Sequence, residues 1–155
     1  HGGPDWVQFW EGGDCWILVK SGTDVVSALV QGMAYGIDSH VLGNSRDFDT
    51  WSDLNPSGFK YSYSDKLQED SKYLRPDYRA FTDAVAMNYP HEDRCRIFYH
   101  AMQPDNADMF KTATMQKKLM RLCTGIREAY NLEKKTVEYA WEQYLNTSLA
   151  YVPEQ

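Results

Sequence analysis

The sequence predicts a mainly helical fold with one N-terminal β-hairpin, α+β being the alternative. Three observations lead there. From Pro76 onward, apolar residues recur at helical spacing. Near the N-terminus, two aromatic and β-branched runs flank Glu11-Gly12-Gly13-Asp14. Residues 37–75 carry polar and aromatic side chains without a sustained period. In a chain of 155 residues this gives a single domain: hairpin 5–20, helix 24–35, irregular segment 37–75 and helical array 76–150.

Each element has its own signal. Trp6 to Trp10 and Cys15 to Lys20 read as strands joined by a four-residue loop, and the second is apolar on both faces. Such a hairpin is marginal alone and must lean on helices or on another chain. Ser21 to Thr23 offer capping oxygens. Val25, Val26, Leu29, Val30 and Met33 then mark an apolar helical face, with Gly36 as its stop. Phe59, Tyr61 and Tyr63 alternate with Lys60 and Ser62, the pattern of a short strand. A structureless stretch as long as 37–75 is uncommon inside a domain, which points to function or to ordering by a partner.

The array predicts four helices, so four to five in all. Tyr78, Phe81 and Val85 make the first stripe, and Cys95, Phe98, Tyr99 and Met102 the second. Met115, Leu119, Leu122, Cys123, Ile126 and Tyr130 make the third, and Val137, Ala140, Trp141, Tyr144, Leu145 and Leu149 the last. Short connections predict antiparallel neighbours. Lys117, Lys118 and Arg121 read as a solvated basic helix face.

Composition narrows the partners. Net charge is −6, and residues 1–75 hold 11 acidic against 6 basic side chains. An acidic chain is a poor match for nucleic acid. The longest apolar run, Cys15 to Val19, is far short of the ~20 residues of a membrane helix, so no span is expected. Three cysteines allow one disulfide and a free thiol, or three free thiols, which leaves the compartment open. Asn146-Thr147-Ser148 is a glycosylation sequon of low specificity. Aromatic residues make up 14% of the chain, a composition that suits partner interfaces as well as a large-ring core.

Gly13-Asp14-Cys15-Trp16-Ile17-Leu18 resembles the nucleophile segment of calpain-type cysteine proteases, and more loosely of papain-like ones. The resemblance covers six residues. It implies a catalytic Cys15 at the start of a helix whose dipole favours the thiolate. Lys20-Ser21-Gly22 interrupts any such helix. A generic thiol hydrolase would pair Cys15 with His40 and with Asp38 or Asp47.

Other chemistries find less support. His91 and Cys95 share a helical face that His100 cannot join, and the CxxC and HExxH patterns are absent. A terminal His1 could chelate copper, but His1-Gly2-Gly3-Pro4 reads as a flexible lead-in. Asp47, Asp49 and Asp53 alternate as in calcium loops, but the twelfth position from Asp47 is Gly58 rather than a carboxylate. No phosphate loop or GxSxG elbow occurs. No metal or other cofactor is expected.

The leading expectation is therefore a non-enzymatic, acidic, protein-binding chain, an accessory subunit or inhibitor-like module whose partner has a basic surface. Trp6, Trp10, Trp16, Trp51, Tyr61 and Tyr63 are the interface candidates. A Cys15–His40 hydrolase is the alternative. A carbohydrate or small-ligand binder using loop tryptophans is the third reading.

Overall fold

The computed structural model describes residues 5–42, 46–132 and 138–146. Its only sheet among these residues is antiparallel and two-stranded, β1 (Trp6–Glu11) and β2 (Asp14–Val19). The loop is two residues rather than four, because Glu11 and Asp14 join the ladder. Gly12 and Gly13 have φ of 62° and 91°, the doubly left-handed turn that matches the twist of paired strands. The register pairs Val7 with Leu18, Phe9 with Trp16 and Trp10 with Cys15.

Helix α1 (Val25–Gly36) starts at Asp24, whose carboxylate accepts from the Ser27 amide at 3.2 Å. The cap is thus Asp24 rather than Ser21 to Thr23. Gly36 is not a stop, since the chain runs on into a π-helical turn, Ile37–Val41. The packing face is also not the one the large side chains suggest. Ala28, Val30, Gly32, Ala34 and Gly36 are buried, whereas Val25, Val26, Leu29 and Met33 are exposed.

The hairpin is the reason. A Cβ on Gly32 would lie 2.6 Å from Ile17 Cγ2, and one on Gly36 would lie 2.9 Å from Cys15 Sγ. The small side of α1 is the groove that seats the inward face of β2. Gly32→Val is therefore expected to lose about 1–3 kcal/mol by overpacking, seen as a lower Tm.

No strand forms at 59–63. Instead the Ser62 and Tyr63 amides donate to the Met87 and Asn88 carbonyls at 3.2 and 2.9 Å. The predicted helix over 76–89 is likewise replaced by turns and a 3-10 turn, Val85–Met87. Its carbonyls have distant partners: Arg79 O accepts from Thr112 Oγ1 at 2.5 Å, and Ala80 O from Lys118 Nζ at 2.8 Å. Tyr78 is exposed and Phe81 fully buried, so the two do not share a stripe.

Helices α2 (Pro90–Met102) and α3 (Ala113–Ala129) complete the α-helices, three among the described residues rather than four or five. Helix α2 packs against both α1 and α3. Residues 138–146 form only a 3-10 turn, Ala140–Glu142, where a fourth array helix was predicted. The Gln116 amide holds this segment, donating to Tyr144 O at 2.9 Å and accepting from the Asn146 amide at 2.9 Å. Arg127 clamps buried Glu142 through two nitrogens at 2.5 and 2.6 Å. Val137 and Leu149, and all of the sequon but Asn146, lie outside the described residues.

Candidate functional site

Strand alternation divides the hairpin into two faces. Trp6, Gln8, Trp10, Ile17 and Val19 are half-buried toward α1. Val7, Phe9, Trp16 and Leu18 point outward and are 46, 37, 49 and 56% exposed. They are cross-strand partners, Val7 with Leu18 and Phe9 with Trp16, so they form one continuous apolar patch. The next outward pair is Glu11 with Asp14, both exposed. On α1, Val25, Leu29 and Met33 form a second exposed apolar stripe at i, i+4 and i+8.

The six aromatic candidates separate into three environments. Trp16 and Tyr63 are exposed. Trp6 and Trp10 lie on the inward face. Trp6 is tilted against Tyr35 at 5.3 Å, and Trp10 is stacked on His40 at 3.8 Å. Trp51 and Tyr61 are in the core, 1 and 7% exposed, and are withdrawn as contact residues. A glycan platform built on loop tryptophans loses Trp51 for the same reason.

Trp51 and Tyr61 lie in the hydrophobic core and reach a buried ionic centre. Asp93 on α2 and Lys118 on α3 are both fully buried, with Lys118 Nζ 2.6 Å from Asp93 Oδ2. The same oxygen accepts from Trp51 Nε1 at 3.0 Å and Tyr61 OH at 2.8 Å. Lys118 Nζ also sits 3.7 Å from the Phe81 ring centroid. Lys118 is thus no part of a solvated basic face. Of that trio, Lys117 is exposed and Arg121 donates to Thr50 Oγ1 at 2.7 Å.

Burial pushes the Asp93 carboxyl up, and Lys118, Trp51 and Tyr61 offset this only in part. Burial pushes the Lys118 ammonium down against the pull of Asp93. Burial and the Asp93 charge also raise Tyr61. The centre ties two helices and the irregular segment together through Asp93 Oδ2, which Lys118, Trp51 and Tyr61 share.

Two other carboxylates report on α2. Burial raises Asp83, but His100, Arg96 and the Ala86 amide outweigh it and hold it low. Burial likewise raises Glu92, and the hydrogen bonds from His91 and Tyr35 win. A carboxyl depressed by folding adds stability above its unfolded value, here 3.8 and 4.5, and loses it as pH falls through the folded value. Tm is therefore expected to fall as pH drops below about 4.5, and less steeply in an Asp83→Asn/Glu92→Gln variant. Thermal unfolding followed across acid pH checks this.

Cys15 is exposed as the second residue of β2, and no helix starts at it. The nucleophile arrangement implied by the protease resemblance is therefore not formed. Gln8 Nε2 lies 3.5 Å from Cys15 Sγ. His40, on the π-helical turn, has its ring on Trp10, and buried Asp38 is held by Arg94 through both carboxylate oxygens. The Asp47 side chain lies outside the description. Cys15, Trp10, Ile17, Met33, Gly36, Ile37 and Tyr130 line a shallow cavity of about 250 Å³.

Cys95 is buried, and burial followed by the nearby Asp38 and Glu92 charges raises its thiol. Cys123 is also buried, with its thiol 3.6 Å from Trp141 O. Native alkylation is expected to label Cys15 alone, with Cys95 and Cys123 reacting on unfolding, as peptide mapping would show.

Among the described residues, no group of three His, Cys, Asp or Glu side chains is placed to hold a metal ion. Cys95 is buried while His91 is exposed, and Asp53 is exposed. The side chains of Asp47 and Asp49, and His1, lie outside the description. No helix among these residues is long and apolar enough to cross a membrane. Comparison of the chain with protein-family models, with characterised proteins and with solved structures gives no match.

Proposed function

We propose that this chain is a non-enzymatic protein-binding module whose contact surface is the outward face of its N-terminal hairpin. One observation carries the reading: two adjacent apolar cross-strand pairs, Val7–Leu18 and Phe9–Trp16, stand in solvent. Single exposed apolar residues are ordinary, but a continuous patch marks an interaction site. The exposed α1 stripe of Val25, Leu29 and Met33 is a second apolar surface on the same chain. Trp and Phe at the centre are the residue types that anchor interfaces.

The hydrolase alternative asks more of its residues. A strand thiol has no helix dipole to stabilise its thiolate. Paired quantitative captures with the wild type and Trp16→Lys test the binding reading. At least one protein is expected to fall roughly tenfold in the variant. Identical captures from a variant of unchanged Tm would contradict it.

A further inference from the structure

Resting on the reading just given, we propose that the occupant of the hairpin face is a basic, amphipathic segment of another protein. Its apolar side chains lie on Val7–Leu18 and Phe9–Trp16, and a Lys or Arg sits at the Glu11–Asp14 end.

Glu11 and Asp14 are direct cross-strand partners on the outward face, one pair beyond Phe9–Trp16. Like charges placed opposite each other weaken a ladder. Among the described residues no cation pairs with either of them. The hairpin therefore presents an apolar patch that ends in two carboxylates paired with no cation among the described residues. A cation from outside satisfies both acids at once, while apolar contact covers the patch.

The same chemistry disfavours other occupants. At the opposite end of the face stand Asp5 and Lys20, joined through the Lys20 amide and the Asp5 carbonyl at 2.9 Å. A second copy stacked antiparallel would bring three acids against one lysine at each end. Nucleic acid and anionic lipid surfaces meet the acidic pair with repulsion.

The test is selection of a displayed library of random peptides, each about 12 residues long, on the immobilised full chain. The recovered peptides are then measured against three proteins: wild type, Trp16→Lys and Glu11→Gln/Asp14→Asn. The last variant removes the opposed charges and is expected to fold at least as well as the wild type. Recovered peptides are expected to combine Lys or Arg with aromatic or aliphatic residues. They are expected to weaken roughly tenfold on Trp16→Lys and roughly threefold or more on Glu11→Gln/Asp14→Asn, and to weaken in high salt.

Peptides that need Trp16 but show no preference for cations would overturn the basic partner and leave the docking face standing. An empty selection, or peptides indifferent to Trp16→Lys, would overturn both. A dimer in sedimentation that Trp16→Lys dissolves would assign the face to a second copy and also overturn the proposal.

Discussion

Lys118→Met is expected to cost about 3–5 kcal/mol of folding stability, the loss typical of breaking a buried ion pair from one side. Asp93 would then stand in the core with no cation, its Oδ2 still bonded by Trp51 and Tyr61 but its charge uncompensated. Asp93 Oδ1 already has no hydrogen-bond partner, so nothing is at hand to take over. Adding Asp93→Asn to Lys118→Met removes that charge and keeps an oxygen for both donors. The double variant is expected to recover most of the loss, a non-additive cycle in denaturant unfolding. Simple addition of the two single losses would show that the pair does not act as a unit. Since the centre also holds the irregular segment, Lys118→Met is expected to change Trp51 fluorescence before the global transition.

The second large effect is on binding. Phe9→Ser/Trp16→Ser is expected to remove at least about 2 kcal/mol of partner affinity, roughly thirtyfold in Kd. Both rings are well exposed, so folding stability should move by less than about 1 kcal/mol, the scale of one cross-strand pair. Trp51→Ala is expected to do the reverse, with about 3–5 kcal/mol lost from the fold. Calorimetric binding beside thermal unfolding separates the two behaviours. Equal destabilisation by both substitutions would show that the hairpin rings are core rather than contact.

The hairpin was legible because turn glycines and β-branched runs act locally. Helices α2 and α3 were legible from their period; in α2 the expected Cys95 and Phe98 are buried, joined by Asp93, Ile97 and Ala101, while Tyr99 and Met102 are only half-buried. Helix α1 misled for a physical reason. Periodicity counts large side chains, whereas close packing by a hairpin selects small ones, so Ala28, Gly32 and Gly36 formed the buried side. Over 76–89 and 138–146, long-range side-chain bonds to backbone carbonyls outweigh local helical preference, and spacing cannot report such partners.

Lys118 could have been found. It lies three residues after Met115 and four before Leu122, on the buried side of α3, where a lysine needs a buried acid. Asp93 holds the matching place on α2. Trp51 and Tyr61 were read as contact residues because aromatic content alone does not tell a ring in the core from one at an interface. The opposed acids Glu11 and Asp14 required the register, which a four-residue loop would have hidden.

We propose the outward hairpin face as the place where this chain meets its partner. The most direct measurement places a photoreactive benzoylphenylalanine at position 16 and, separately, at Tyr78, an exposed aromatic outside the hairpin. Irradiation in an extract of the source cells should give a discrete adduct with a basic protein from position 16 and none from position 78. That adduct should disappear when unlabelled wild type competes and persist when Trp16→Lys competes. Adducts of equal yield from both positions, or none from position 16, would contradict the account.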